Sequence, residues 1–323
     1  MNVKKILETA IANNQTRFAF ELLPPLKGAG LEGIYSAIDP LVEFDPAYIN
    51  ITFHRESIKE TVDEMGNRDC HVVRRRPGTV GVSAAIHRRY GITTVPHLIC
   101  GGLTKYDIED ALIDMDFLGI DNVLALQGDK SLNEKHFTAH PQGHAHAVDL
   151  VKQIDMMNRG IFVDGEAKIL HNTRFSIGVA GYPERHFAAK SDKSDIDYLK
   201  AKIDAGADYI VTQMFFDNRH FFDFVERCTK AGINVPIIPG IKPLSTQRQL
   251  TLLPDTFSIE IPEKLQKKVL SAGEQSQAIR QIGIEWAIEQ SLELKEAKVP
   301  VLHFYTMSNT SNIKEIASAI WTQ

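Results

Sequence analysis

A single carboxylate interrupts the apolar run Phe18-Ala19-Phe20-Glu21-Leu22-Leu23-Pro24-Pro25, which makes Glu21 the first side chain whose type and setting could do chemistry. With the two-residue period of a strand, Ala19, Glu21 and Leu23 share one face and Phe18, Phe20 and Leu22 the other, until Pro24 and Pro25 stop the strand. A carboxyl group near the end of a buried strand has its charged form disfavoured, so its pKa rises and it can donate a proton near neutrality. A Glu paired to a buried Lys or Arg would leave the same trace, and this stretch alone is compatible with both.

Further along, Leu126-Gln127-Gly128-Asp129 carries a buried run into a glycine turn and a second carboxylate, which could equally cap the next turn. Gly181-Tyr182-Pro183-Glu184-Arg185-His186 gathers an aromatic ring, two titratable groups and an Arg. Thr212-Gln213-Met214-Phe215-Phe216-Asp217 sets an amide, donor and acceptor together, beside aromatic faces, a pairing that suits a flat heterocycle. Arg74-Arg75-Arg76 sits in a long charged stretch, Thr61 to Val80, which reads as a solvated loop or short helix, with a phosphate-bearing ligand as the alternative. His136, His140, His144 and His146 fall within Lys130 to Ala147. No acidic or Cys partner is spaced with them, so no metal is expected and a polar loop over a cofactor accounts for them.

The elements that must position these groups follow a repeated plan. Gly91-Ile92-Thr93, Gly119-Ile120-Asp121, Gly206-Ala207-Asp208 and Gly232-Ile233-Asn234 each follow a helical pattern and open a strand-like run, as a helix-ending glycine does. Thr104 with Asp107 predicts a capping box before Ile108, Ala111, Leu112 and Met115, and Ser194 with Asp197 predicts another before Leu199 and Ile203. Eight runs rich in β-branched and aromatic residues are expected as strands: Phe18 to Leu22, Tyr48 to Thr52, Thr94 to Ile99, Asn122 to Leu126, Phe175 to Ala180, Tyr209 to Gln213, Val235 to Pro239 and Val301 to Thr306. Eight strands alternating with helices predict an α/β fold, a (β/α)8 TIM barrel. An open doubly wound sheet is the other candidate, but no Gly-x-Gly-x-x-Gly follows the first strand. Polar residues stand at nearly every strand end: Glu21, Thr52, His97, Gln127 with Asp129, Tyr182 with Glu184, Gln213, Lys242, and Tyr305 with Thr306. That face is where barrels of this kind carry their sites. No Pro-, Gly- or Ser-rich linker divides the chain, so residues 1–323 are expected to form one domain, with an extra amphipathic helix over Met1 to Ile11 built on Val3, Ile6, Leu7, Ala10 and Ile11.

Composition narrows the function classes. With 36 basic against 41 acidic residues and a net charge of −5, the chain has no nucleic-acid footprint, and no apolar run is long enough to span a bilayer. A small-molecule partner is expected. Three widely separated cysteines, Cys70, Cys100 and Cys228, suggest free thiols in a reducing cytoplasm.

The phrases Phe20-Glu21-Leu22-Leu23-Pro24-Pro25, Pro96-His97-Leu98, Leu126-Gln127-Gly128-Asp129, Tyr182-Pro183-Glu184, Asp204-Ala205-Gly206-Ala207, Thr212-Gln213 with Phe215-Phe216-Asp217, Ile237-Ile238-Pro239-Gly240-Ile241 and His303-Phe304-Tyr305-Thr306 occur in this order along nearly the whole chain. Together they resemble the methylenetetrahydrofolate reductase family, in its bacterial-type form limited to the catalytic domain. The resemblance implies a TIM barrel that holds FAD non-covalently and reduces 5,10-methylenetetrahydrofolate to 5-methyltetrahydrofolate with electrons from NADH or NADPH, by ping-pong kinetics, feeding methionine synthesis. It implies Glu21 as general acid, and Asp129, Gln213 and Gln249 as folate contacts, with Asp129 also beside the flavin. For the cofactor the matching positions are Phe53, His97, Gln127, Gly128, Asp129, Ala147, Tyr182, His186, Asp195 and Lys202, with Thr52 at the nicotinamide side.

Three departures from the family stand out. Gln127 occupies a position that is often Arg, Phe53-His54-Arg55 replaces a frequent Tyr-Gly-Ala, and Leu253 aligns with an aromatic that packs on both substrates in some members. The partners implied are the folate and the nicotinamide dinucleotide, with a homo-oligomer compatible and no C-terminal regulatory domain expected. Two other classes share parts of this pattern: a flavin barrel of the proline dehydrogenase type, and a non-catalytic folate-binding module. Turnover with methylenetetrahydrofolate separates the first, and a bound flavin bleached by nicotinamide separates the second.

Overall fold

Phe18 and Phe20 bury one face of the first strand beneath helices while Ala19 and Glu21 turn to the opposite face, so Arg17–Leu22 forms β1 with its apolar rings outward and its carboxylate inward. The computed structural model describes residues 1–322 apart from 56, 64, 131–133, 135, 166–171, 186–190 and 307–309. After β1 come β2 (Tyr48–Ile51), an antiparallel pair β3 (Ser57–Val62) and β4 (Arg68–Val73), then β5 (Thr94–Ile99), β6 (Asn122–Leu126), β7 (Ser176–Gly181), β8 (Tyr209–Met214), β9 (Ile237–Ile241) and β10 (Val301–Tyr305). All but β3 and β4 close into a parallel barrel in the order β1-β10-β9-β8-β7-β6-β5-β2, the (β/α)8 architecture.

Two shells of apolar packing hold it. Outside the strands, Phe18, Phe20, Ile49, Ile51 and Phe304 pack under helices on one flank, and Leu98, Val123, Ala125, Ile177 and Val179 do so on the other. Inside, Ala19, Tyr48, Val95, Leu124, Tyr209, Val211, Ile238 and Val301 fill the lower barrel. Each fully buried Val, Leu, Ile or Phe among them contributes roughly 1.5–3 kcal/mol of transfer free energy. The first helix, α1 (Val3–Ala12), joins this inner cluster through Val3, Ile6 and Leu7 and closes the N-terminal end of the barrel. Its backbone is tied there by Val3 N–H donating to Asn122 Oδ1 at 2.7 Å and Lys4 N–H to Ser176 Oγ at 3.1 Å, while Lys4 pairs with Asp208 at 2.9 Å. Ile11, expected on the apolar stripe, is 50 % exposed, because the stripe of α1 ends at Ala10.

The helix ends agree with the sequence at most points. Gly91, Gly119, Gly206 and Gly232 all take the left-handed backbone that ends a helix. Thr104 and Asp107 form the capping box of α4 (Lys105–Phe117). The cap of α6 (Asp192–Asp204) is Ser191 with Ser194, one turn earlier than expected. Ser191-x-x-Ser194 offers the same reciprocal hydrogen bonds, and the helix takes the earlier start. The charged stretch after β2 is also different: β3 and β4 form a two-stranded ribbon where a loop or short helix was expected. The remaining helices are α2 (Glu32–Ile38), α3 (Thr79–Tyr90), α5 (Ala147–Asn158), α7 (Asn218–Lys230), α8 (Gln249–Phe257), α9 (Glu263–Ser271), α10 (Ser276–Glu296) and α11 (Thr310–Trp321). No described helix is long and apolar enough to cross a membrane.

Candidate active site

Barrel register fixes the neighbours of Glu21. Its Cα lies opposite Asn50 of β2 and Tyr305 of β10, near the C-terminal end of the strands. The side chain is 12 % exposed, and burial pushes its carboxyl pKa up to about 8, with Lys242 opposing the shift. His97 Nε2 of β5 lies 3.7 Å from Glu21 Oε2, but the two do not form an ion pair. Burial, aided by the charge of His54, pulls the imidazole down to about 3, so both partners are neutral at pH 7. The Asn50 amide nitrogen lies 3.3 Å from the same ring nitrogen, and with Asn50 donating, the ring proton resides on Nδ1. Asn50 Oδ1 is buried without a partner among the described residues. Thr306 donates to the Glu21 carbonyl at 2.6 Å and Tyr305 to the Thr212 carbonyl at 2.6 Å, which locks the end of β10 to β1 and β8.

The turn after β6 forms the next wall. Gly128 has φ +85°, and a Cβ there would lie 3.0 Å from Ile99, so the glycine lets the turn press onto β5. Gln127 donates its amide to the Ala145 carbonyl at 2.8 Å, tying this turn to the approach to α5, whose first residue is Ala147. Asp129 is exposed, and its charge bears on both His54 and Tyr182.

A third group gathers beside β7. Lys202 Nζ donates to the Ala180 carbonyl at 2.6 Å, and burial pulls its pKa to about 8 while Asp195, on the same helix α6, opposes that. Tyr182 is pushed above its usual range by burial, with Asp195 and Asp129 adding to it. Tyr182, Asp195 and Lys202 are therefore neighbours, whereas His186 lies outside the described residues. Gln213, in β8, accepts from Met214 N–H at 2.9 Å. Gln249, at the start of α8, accepts from Ser245 N–H at 2.7 Å and Thr246 N–H at 3.1 Å, and among the described residues no hydrogen bond joins it to the other candidates. Leu253 is buried in an apolar cluster with Met214, Phe216 and Leu244.

The loop after β2 contributes more than the sequence suggested. Thr52 Oγ1 lies 3.2 Å from His54 Nε2, and Phe53 between them is half-buried. Arg55 packs against Gly101 and Gly102 and pairs with Glu134 at 2.9 Å, drawing together the loops that follow β2, β5 and β6. Arg76 donates to the Pro24 carbonyl, and Lys27 N–H to the Arg75 carbonyl at 2.8 Å, so the Arg stretch braces the loop after Glu21. His144 is buried against Gln153 at 2.6 Å, His140 accepts from Gln142 N–H at 3.1 Å, and His136 and His146 are exposed. Among the described residues no group of three His, Cys, Asp or Glu is placed to hold a metal ion.

Asn50, His54 and Lys242 join the site without having been assigned a role from the sequence. Asn50 carried the same signal as Glu21, a polar residue inside the apolar run Tyr48-Ile49-Asn50-Ile51. Concavity alone points elsewhere. An outer groove of about 440 Å³ lined by Phe221, Phe222, Val225 and Val299 holds none of these titratable groups.

This barrel mouth can be set beside known proteins. The family model described as Methylenetetrahydrofolate reductase matches residues 6–320. Methylenetetrahydrofolate reductase (NADH) 1 of Arabidopsis thaliana is 31 % identical over 317 residues, covering 95 % of this chain and 49 % of that protein. The 5,10-methylenetetrahydrofolate reductase of Escherichia coli is 29 % identical over 300 residues, covering 93 % of this chain and 88 % of that protein. The chain thus spans about half the length of the plant relative and most of the bacterial one. Among solved structures, a protein from Clostridium thermocellum that binds two copies of 5-methyl-5,6,7,8-tetrahydrofolic acid shares the fold, with a TM-score of 0.59 at 14 % identity over 98 % of each chain. With a family match running from the first helix to the last and the barrel that the sequence implied, this chain belongs to the methylenetetrahydrofolate reductase family.

Proposed function

We propose that the chain is an FAD-dependent 5,10-methylenetetrahydrofolate reductase, a cytoplasmic enzyme folded as one barrel domain. It takes electrons from NADH or NADPH by ping-pong kinetics and supplies 5-methyltetrahydrofolate for methionine synthesis. The observation that carries this is Glu21, a carboxyl group that burial holds protonated near neutrality at the barrel mouth beside a neutral imidazole, as a general acid must be. Family membership and relatives named for this reaction add to it.

The residues fit the group they would hold. Gly128 leaves the mouth unobstructed where the turn presses on Ile99, and Tyr182, Asp195 and Lys202 gather polar contacts at one side. Gln127, His97, Ala147 and Phe53 would complete the flavin contacts, with Thr52 at the nicotinamide side. A bound flavin supplies the hydride. The folate five-membered ring must first open to an iminium, which needs a proton on the departing nitrogen, and Glu21 donates it. Asp129, exposed at the mouth, favours that cation electrostatically, and Gln213 orients the pterin by its paired donor and acceptor, with Gln249, whose amide oxygen is engaged by Ser245 and Thr246, left to offer its NH2 as a further folate contact. One proton is consumed per folate reduced, and Glu21 regains it before the next turnover.

The test is the absorbance spectrum of purified protein. It should show a flavin that is released as FAD and not FMN, is bleached by anaerobic NADH or NADPH and is restored by methylenetetrahydrofolate. A colourless protein that takes up no flavin on reconstitution defeats the proposal. Gln127 offers a sharper check, because its amide already donates to the Ala145 carbonyl and an Arg can keep that contact while adding charge. Gln127→Arg should tighten FAD binding or leave it unchanged in a fluorescence titration, and a large loss of flavin would show a pocket built around the neutral amide.

A further inference from the structure

Proton donation by Glu21 leaves a carboxylate in a layer from which water is largely excluded, and something must favour that charge. The groups around it are the Asn50 amide from β2, the neutral His97 from β5 and Tyr305 from β10. Phe304 pairs with Ile241, so Lys242, the residue that follows β9, stands at the level of Tyr305 and hence of Glu21, and the two charges act on each other. Tyr305 spends its proton on the Thr212 carbonyl. Lys242 is 8 % exposed, and burial and the Glu21 charge act on its amine in opposite directions, the first lowering its pKa and the second raising it. Among the described residues no carboxylate pairs with it within 4 Å.

Its backbone is held firmly. Two residues on, Leu244 lies against Gly283 of α10 so closely that a Cβ there would sit 1.9 Å from the Leu244 carbonyl oxygen. Ser245 and Thr246 donate their N–H groups to Gln249, and Asn312 donates to Ser245 Oγ at 3.1 Å. A cation on so fixed a segment, with no other acid to serve, is preorganised for a charge that appears only during reaction.

We propose that Lys242 is a positioning residue for proton transfer, whose ammonium stabilises the Glu21 carboxylate as it forms and so makes the buried acid a better donor. The catalytic part of this rests on the reductase reading above; the electrostatic part does not. In the step itself the Glu21 O–H bond breaks, a folate N–H bond forms, and the new carboxylate is left facing the ammonium. Glu21 is recharged from solvent once product leaves.

The test uses the flavin-loaded protein and reads Glu21 directly by infrared spectroscopy. Its protonated C=O stretch is identified as the band missing in Glu21→Gln and is titrated with pH. Because a nearby cation lowers a carboxyl pKa, Lys242→Met should move the midpoint upward by about one pH unit, whereas Lys242→Arg should leave it near wild type. In stopped flow at pH 7, Lys242→Met should slow flavin reoxidation by methylenetetrahydrofolate ~10-fold and leave flavin reduction by nicotinamide within about twofold. An unmoved or lowered midpoint in Lys242→Met overturns the proposal, as does equal slowing of both half-reactions. Lys242→Gln provides the same reading if the Met variant is unstable. Should the wild type prove unable to reduce methylenetetrahydrofolate, the reductase reading fails, and the infrared titration still decides whether Lys242 tunes Glu21.

Discussion

Glu21→Gln should slow flavin reoxidation by methylenetetrahydrofolate by ~10²–10⁴-fold, while reduction of the flavin by nicotinamide continues at close to the wild-type rate. The amide keeps the shape of the side chain and its place between Asn50 and Tyr305, but has no proton to transfer. Only the folate half-reaction needs that proton. In the wild type the same half-reaction should fail as pH rises through about 8, where Glu21 ionises, and this limb should vanish from the residual activity of the variant. Stability follows the opposite course to that of an ordinary paired carboxylate. Glu21 has a folded pKa above its unfolded value, so its contribution is fully present below about 4.5 and is lost as pH rises through about 8. Glu21→Gln should therefore gain in melting temperature relative to wild type between pH 5 and pH 9. Equal slowing of both half-reactions in anaerobic stopped flow, or slowing of neither, would remove Glu21 from the role of acid.

The largest expected loss of stability comes from a contact of backbone on backbone. Gly283 of α10 faces the backbone of Leu244, and a Cβ would stand 1.9 Å from its carbonyl oxygen, 2.7 Å from its carbonyl carbon and 2.9 Å from its nitrogen. A crowded side chain can change rotamer, but backbone against backbone cannot, so a helix spanning Ser276–Glu296 must move away as a unit. Gly283→Ala should cost ~3 kcal/mol or more, at or beyond the upper end of ordinary overpacking. Flavin reoxidation should suffer with it, because the segment around Leu244 that α10 braces runs from Lys242 to Gln249. Gly81 of α3 is the control. Nothing lies within 4 Å of a Cβ there, so Gly81→Ala should stabilise by up to ~1 kcal/mol through helix propensity alone. Chemical denaturation of the two variants measures the contrast, and similar changes in both would show that α10 is free to shift.

The barrel was legible because parallel strands covered on both faces need nearly continuous apolar runs, and all eight were found within two residues of their places. The start that slipped furthest was β9, expected from Val235 and observed from Ile237. Pro236 has no N–H to give to a ladder, so the strand begins after it. The ribbon of β3 and β4 was not legible. Its strands, Ser-Ile-Lys-Glu-Thr-Val and Arg-Asp-Cys-His-Val-Val, break short apolar stretches with charges and so lack the continuous apolar run of a barrel strand, and they pair from Ser57 with Val73 to Val62 with Arg68. Single anomalies inside apolar runs pointed to Glu21 and would have pointed to Asn50. Lys242 was marked as a polar residue at a strand end but given no role, and His54 was harder, because it acts on a group brought near by closure of the barrel and not by sequence. Gln249 shows the converse, a residue singled out by resemblance whose amide oxygen is engaged by the turn it starts.

Closure of β1 against β10 also sets the timing of biosynthesis. Glu21 emerges from a ribosome long before Tyr305, and at ~5–20 residues/s the roughly 280 residues between them take about 15–60 s to synthesise. For that interval β1 lacks its β10 partner, and the hydrogen bond from Thr306 to the Glu21 carbonyl cannot form. The carboxyl group that the proposed reaction needs protonated and dry is thus exposed on an open sheet edge until the last strand is made. A nascent chain arrested before Val301 would present the apolar face of Phe18 and Phe20 to chaperones rather than a usable site.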